Sequence, residues 1–247
     1  MSENIYKPYL MEIDQIVEET PDVRTFRLKF KNIEEAEKFS FKAGQFGEYS
    51  AFVDGESTFC VASSPTRKGY IECTFRKSGR VTKALANLET GDTVGFRGPY
   101  GNTFPIEQWE GKNLLYIAGG IALPPMRCVI WNTIDLRDKY KDITIVYGAR
   151  SVADLVYKQE LKEWAGRPDI RLITTVDPGG QTPDWKGEVG FVPRVLDKAA
   201  RSSDIPIAIH CGPTMRLKIT LQALKKRGFA HKEITTPMKK RRRGGCG

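Results

Sequence analysis

The 247-residue sequence holds only two histidines, His210 and His231. With no H-E-x-x-H run either, a histidine-built zinc centre is excluded and no Ser-His-Asp arrangement is expected. Both histidines are read as structural. No apolar run approaches the roughly 18 to 20 residues that span a bilayer, and the opening "MSENIYKPYLMEIDQ" lacks the basic-then-apolar order of a signal peptide. The five cysteines, at 60, 73, 128, 211 and 246, are odd in number and without paired spacing, which suits a reducing compartment better than a disulfide framework. The cytoplasm is the expected location. G-x-G-x-x-G is missing too: in "NLLYIAGGIALPPMR" (113–127) Gly119 and Gly120 stand side by side and Ala122 follows, so the stretch is a structural turn or another class of nucleotide site.

An apolar share of 40% and a charged share of 28% fit a soluble globular protein. The length exceeds the commonest domain size of about 100 to 150 residues, so two domains are expected. The net charge is +9, but the run Lys239, Lys240, Arg241, Arg242, Arg243 supplies five of those charges and leaves +4 for the rest of the chain. That run is either a solvated tail or a docking surface for an acidic partner or RNA.

From residue 8 to about 107 apolar residues recur with period two. Phe26, Leu28 and Phe30 alternate with Arg27 and Lys29, and Ile71, Cys73 and Phe75 alternate with polar neighbours, the pattern of half-buried antiparallel strands. Turn chemistry at "DGES", "TRKG", "ETGD" and "GPYGN" separates them, so a small barrel or sandwich is the natural closure. One helix, "VTKALANLE", is expected between Gly79 and Gly91. After about residue 108 the strands become fully apolar ("LLYIA", "ITIVYGA", "IRLITTV", "IPIAIHC") and alternate with helical stretches. Val192, Val195, Leu196 and Ala199 share one helix face, as do Leu217, Leu221 and Leu224. That alternation means a parallel sheet covered on both faces. The expected organisation is a first domain over 1–107, an α/β domain over 108–237 and a basic tail over 238–247.

Open parallel sheets bind ligands beyond the carboxyl ends of their strands. Three clusters lie there: Gly119-Gly120-Ile121-Ala122, Gly148-Ala149-Arg150 and Cys211-Gly212-Pro213. The first would let a diphosphate approach backbone N–H groups where the helix dipole favours negative charge, and Arg150 could reach the adenosine end. In the first half, "RKSGRVTKAL" brings Arg76, Lys77, Gly79 and Arg80 to the mouth of a helix, a second place for a phosphate. Viewed alone, each of the three sheet clusters is more often an ordinary strand-to-helix turn, and the basic stretch reads equally as a glycine before a capped surface helix.

Taken in order, "FKAGQF" (41–46), "GESTFCVASSPTRKGYIE" (55–72), "FRKSGRVTKAL" (75–85), "GPYGNTFPIEQWEG" (98–111), "AGGIALPPMR" (118–127), "YGARSVADLVYKQEL" (147–161) and "CGP" (211–213) resemble the ferredoxin-NADP⁺ reductase superfamily. The likeness is to its branch of electron-transfer subunits found with NiFe hydrogenases, anaerobic sulfite reductase and dihydroorotate dehydrogenase. The resemblance implies an antiparallel Greek-key β-barrel that binds FAD, followed by a parallel-sheet α/β domain that binds NAD(P)H. It implies that Phe59, Cys60, Val61, Ala62 and Ser63 line the flavin ring and that Arg76, Gly79, Arg80, Val81 and Thr82 hold the FAD pyrophosphate. Gly119, Gly120, Ile121 and Ala122 would take the nicotinamide cofactor's diphosphate, and Arg150 its adenosine part. Cys211, Gly212 and Pro213 would border the nicotinamide, which makes Cys211 and Cys60 the expected catalytic positions. Hydride transfer between stacked rings needs no acid/base pair, in keeping with the missing triad.

The departures are specific. The superfamily's flavin segment reads Arg-x-Tyr-Ser where this chain has Ser57, Phe59 and Cys60, replacing an arginine by a hydroxyl and a hydroxyl by a weakly donating thiol. Ala122 stands in a glycine position, Pro124-Pro125 is expected to crowd the helix start, and Met215 falls one place early after "CGP". In this branch an Arg-rich stretch leads into Cys-x4-Cys-x2-Cys and a fourth cysteine that ligate a [2Fe-2S] cluster. Here "MKKRRRGGCG" reaches only Cys246, a candidate ligand if the chain continues past 247; otherwise this member lacks the cluster. The resemblance implies an FAD-dependent subunit moving electrons between NAD(P)H and an iron-sulfur partner of hydrogenase, sulfite reductase or heterodisulfide reductase type. The alternatives are a dihydroorotate dehydrogenase electron-transfer subunit and, last, docking on nucleic acid or protein through the tail.

Overall fold

The structure, a computed structural model, describes residues 4, 6–199, 207–212, 214–226, 228–229 and 234–235. Strands β1 (Tyr9–Thr20), β2 (Val23–Phe30), β3 (Phe46–Ala51), β4 (Gly55–Cys60), β5 (Ile71–Arg76) and β6 (Thr93–Tyr100) make an antiparallel sheet in the order β4-β3-β6-β1-β2-β5. The outermost strands of that order, β4 and β5, touch one another, so the sheet curls shut into a barrel. Insertion of β6 between β3 and β1 is Greek-key wiring. The period-two residues go inside as their spacing requires: Phe26, Leu28, Ile71, Cys73 and Phe75 are all within 1% of complete burial, and they pack with Met11, Ile13, Tyr49 and Phe96.

Two local expectations are corrected. The helix expected over "VTKALANLE" is the shorter α2 (Arg80–Leu85). Asn87 and Leu88 instead close turns onto Ala84 and Leu85, because the segment must bend back toward β6. "GPYGN" is not simply a turn, since β6 runs on through Tyr100 to pair with Phe46. A helix the sequence pattern missed, α1 (Ile33–Lys38), is capped by Asn32, whose side chain accepts from the N–H groups of Glu34 and Glu35. It buries no residue, so it leaves no hydrophobic periodicity to read.

The second half is a parallel sheet of β7 (Leu114–Gly119), β8 (Ile143–Ala149), β9 (Ile170–Val176), β10 (Glu188–Val189), β11 (Ile207–Cys211) and β12 (Ile234–Thr235), ordered β10-β9-β8-β7-β11-β12. Helices α3 (Leu123–Asp135), α4 (Lys158–Gly166), α5 (Val192–Ala199) and α6 (Thr214–Lys226) cover it. β7 shows why its sequence reads as one apolar run. Leu114, Tyr116 and Ala118 face the α3 side, whereas Leu115 and Ile117 face Val195, Leu196 and Leu224 of α5 and α6. The two prolines do not crowd α3: they occupy its first turn, where an N–H has no intrahelical acceptor to lose. The core on the α3 side also takes in Val23 and Ala43 of the barrel half, so the two sheets are joined through apolar packing.

Candidate functional site at the junction of the two sheets

Strand order reverses at β7: β8 and β9 lie to one side of it and β11 to the other. The crevice of an open α/β sheet falls at such a switch point, between the loops that leave the diverging strands. Those loops are Gly119–Ala122 and the segment after Cys211. The first is a tight 3₁₀ turn over Gly120–Ala122, with Gly120 at φ +56° and no atom within 4 Å of where a Cβ would sit. Its backbone is therefore bare and approachable, and the Tyr147 hydroxyl donates to the Gly120 carbonyl (3.3 Å) to hold the turn. Since Pro124 and Pro125 have no N–H, anion recognition at this helix mouth falls on the turn itself. Ile121 is exposed and Ala122 buried, so a methyl group at 122 faces inward rather than into the turn's open side.

β8 ends in Gly148, Ala149 and then Arg150, whose side chain is 69% exposed and paired with Asp154 at 3.1 Å. Ser151 also donates to Asp154 (2.8 Å), and the two partners hold that carboxyl below its ordinary range. The arginine is thus oriented yet open to a ligand. Cys211 is buried and Gly212 lies against the His210 ring. Burial pushes the His210 imidazole down to about 4, so it is neutral at pH 7. Pro213, Cys246 and the basic run lie outside the described residues. Among the described residues no three His, Cys, Asp or Glu side chains are disposed to hold a metal ion.

On the barrel side, Phe59 and Cys60 end β4 and are only partly buried, whereas Val61, Ala62 and Ser63 are buried behind them. The Phe59 ring leans on Tyr49 and Phe75, with centroids 5.7 and 5.6 Å apart, and the Ser63 hydroxyl accepts from the Glu72 N–H (3.1 Å). At the far end of β5, Arg76 pairs with Asp22 (3.0 Å) and Arg80 with Asp54 (3.1 Å), and Arg80 keeps 74% of its side chain exposed. Thr82 fastens the helix mouth by accepting from the N–H groups of Ser78 and Gly79 (2.9 and 2.8 Å). Helix geometry leaves the first-turn amides, those of Arg80 and Val81, without intrahelical acceptors. A Cβ on Gly79 would meet only Thr82 Oγ1, at 3.9 Å. Bare amides beside an exposed guanidinium at this mouth, and a bare glycine turn at the other, are what a dinucleotide and a flavin dinucleotide each require. The residues present fit both groups.

The structure brings the two sets together. Cys60 of the barrel and Cys211 of the sheet, with Cys128 of α3, lie near enough to raise the Cys60 thiol further above the shift that burial gives it. Arg76 and Arg150 approach from the two halves as well, for both act on the Asp154 carboxyl. One participant was not foreseen. Arg127 of α3 crosses to Glu72 and to the Ala62 carbonyl of the barrel half; only the conspicuous "PPMR" spelling could have drawn attention to it.

A closed antiparallel barrel followed by a helix-covered parallel sheet is the architecture of an FAD- and NAD(P)-binding oxidoreductase. Comparison with known proteins agrees. Residues 10–104 match the oxidoreductase FAD-binding domain and residues 116–220 the oxidoreductase NAD-binding domain. Over 249 residues, spanning 100% of this chain and 84% of the relative, the sequence is 34% identical to sulfhydrogenase 1 subunit gamma of Pyrococcus furiosus. It is 31% identical over 174 residues, 70% of this chain and 59% of the relative, to the electron transfer subunit of dihydroorotate dehydrogenase B (NAD⁺) of Bacillus velezensis. A ferredoxin NADP⁺ reductase of Neisseria gonorrhoeae, solved with FAD and NADP, superposes with a TM-score of 0.76 over 93% of this chain and 98% of the other at 19% identity, a likeness of fold. The chain belongs to the ferredoxin-NADP⁺ reductase superfamily, in the branch of FAD- and NAD(P)-binding oxidoreductases that includes the sulfhydrogenase gamma subunits. No described helix is long and apolar enough to cross a membrane.

Proposed function

We propose that this chain is the NAD(P)H-facing electron-transfer subunit of a larger cytoplasmic redox complex whose partner carries iron-sulfur centres, of the hydrogenase, sulfite reductase or heterodisulfide reductase kind. The observation that carries the reading is the seam: Ala122 and Cys211 of the sheet share one core with Val23 and Ala43 of the barrel half, and Arg127, on the helix that follows Gly119–Ala122, donates to the Ala62 carbonyl. FAD, when bound, supplies the exchange between a two-electron hydride and single electrons. The protein's part is to bind, orient and keep dry. Arg76 and Arg80 with the Gly79–Thr82 amides would hold the flavin's pyrophosphate, and Phe59 to Ser63 its ring. The Gly119–Ala122 turn would hold the second diphosphate and Arg150 the adenosine end. Burial pushes the Cys60 thiol well above its ordinary range, so it is uncharged at neutral pH and offers the seam no competing base.

The assignment of a hydrogenase-type partner over a pyrimidine-pathway one draws on the fuller coverage of the sulfhydrogenase relative. Titrating the purified full chain with FAD and then with NADH or NADPH without oxygen tests the core of the reading. A flavin spectrum that bleaches with either nucleotide is the expected result. A protein that stays colourless after FAD reconstitution would refute it.

A further inference from the structure

Buried at the seam is a charged cluster that neither cradle uses. Arg127 is only 5% exposed, and its guanidinium meets three elements. Its Nε donates to both carboxylate oxygens of Glu160 on α4 (2.8 and 2.9 Å), and one terminal nitrogen donates to Glu160 Oε1 (2.6 Å). The other terminal nitrogen donates to Glu72 Oε2 on β5 (2.5 Å) and to the Ala62 carbonyl (2.9 Å). The same guanidinium lies 4.8 Å from the Tyr157 ring centroid. Glu72 has a second cation in Arg27 (3.1 Å), and the Trp131 indole N–H donates to Glu160 (2.8 Å). Two carboxylates thus face two guanidinium groups, and every strong acceptor in the cluster is used.

Such a cluster gains little net stability over apolar packing of the same volume, because desolvation opposes the attraction. What it supplies is direction: a planar fork fixes the angle between the groups it joins, whereas apolar surfaces can slide. The direction here matters because of what lies at the two ends. α3 is the helix that grows out of the Gly119–Ala122 turn. Ala62 lies within the flavin-lining segment, and its own N–H is already held by the Glu72 carbonyl (2.7 Å). We infer that Arg127 is a positioning residue for hydride transfer, fixing the nucleotide turn against the flavin-lining backbone. The inference rests on the functional reading above, that both cradles are loaded at once.

The test uses the full chain reconstituted with FAD. Arg127→Met removes all the donors at similar length. FAD content and visible spectrum stay as in the wild type, the apparent Kd for NAD(P)H changes by less than about threefold, and the limiting rate of flavin bleaching in stopped flow falls by about 10- to 100-fold, the scale of an ångström of misplacement. Arg127→Lys keeps the charge but has one nitrogen in place of the fork, so it recovers only part of that rate. Calorimetry of the FAD-free proteins gives a readout independent of turnover: one unfolding transition in the wild type and two in Arg127→Met, as the sheets uncouple. A wild-type limiting rate in Arg127→Met, a loss of rate that only tracks loss of FAD, or a single transition in both proteins overturns the inference. Should Arg127→Met fail to fold, Arg127→Lys decides, and a wild-type limiting rate in it is equally fatal. A wild type that neither nucleotide bleaches defeats the functional reading itself, and is seen before any variant is made.

Discussion

Beside Arg127 runs a chain of hydroxyls whose hydrogen-bond directions are dictated by one carboxylate. Thr25 donates to Glu19 (2.8 Å), so its oxygen accepts from Thr74 (2.8 Å), and Thr74 in turn accepts from the Tyr157 hydroxyl. The Tyr157 backbone N–H returns to Glu19 at 2.6 Å. The perturbation that probes this ring is Thr74→Val, nearly isosteric and without a hydroxyl. Thr25 keeps its acceptor in Glu19, but the Tyr157 hydroxyl, on a side chain 3% exposed, is left with nowhere to donate. An unsatisfied buried donor costs about 1–3 kcal/mol, which in a chain of this length lowers the melting temperature by about 4–8 °C for a 2 kcal/mol loss. Tyr157→Phe deletes the donor itself and leaves only a spare lone pair on Thr74, so it should cost about 1 kcal/mol or less. The double variant should then be more stable than Thr74→Val alone, since the orphan is gone. Urea denaturation of the four proteins gives the cycle. A Thr74→Val variant within about 0.5 kcal/mol of wild type, or a double variant that simply adds the two losses, would show that the directions assigned here are wrong.

Two further outcomes follow from neighbouring residues. Glu19 has its carboxyl raised from 4.5, chiefly by burial, against the opposing pull of Thr25 and the Tyr157 N–H; the folded state therefore holds the proton more tightly than the unfolded one. Its contribution to stability is complete below about 4.3 and is lost as pH rises through the folded value. Glu19→Gln, which does not titrate, should gain on the wild type as pH is raised from 4.5, read by urea midpoints across that range; a difference that is flat or shrinks with pH would contradict the assignment. At Gly180 an added Cβ would fall 2.0 Å from the Arg150 carbonyl and 2.8 Å from Ser151 Cα, both backbone atoms that cannot swing aside. Gly180→Ala should cost about 1–3 kcal/mol and raise KM for NAD(P)H about tenfold by displacing Arg150, with FAD content unchanged. An unaltered KM would remove Arg150 from the nucleotide site.

The fold was legible where burial follows a simple period. β7 and β8 read as apolar runs because both faces are covered, and Val192, Val195 and Leu196 announced α5 because only one of its faces meets the sheet. Elements that bury little left no mark: α1 owes its existence to the Asn32 cap, and α2 ends early because its successors turn back toward β6. The cradle glycines were visible for a related reason. Gly120 adopts φ +56°, a conformation that selects for glycine whatever the ligand, so the residue type itself carries the signal.

The charged seam was not visible, and β5 shows why. Its alternation sends Ile71, Cys73 and Phe75 into the barrel and marks Glu72 and Thr74 as the outward, solvated face. Yet Glu72 and Thr74 are each only 5% exposed, because α3 and the start of α4 lie over that face. Period two reports that a strand has two unlike sides; it does not report what covers the polar one. Glu72 finds its partner 55 residues on, and Glu160 finds the same arginine 33 residues back, so no local window contains the cluster. Polar residues on a strand can therefore mark a domain seam as readily as a solvent face. Here they mark the seam where α3 and the start of α4 meet the barrel.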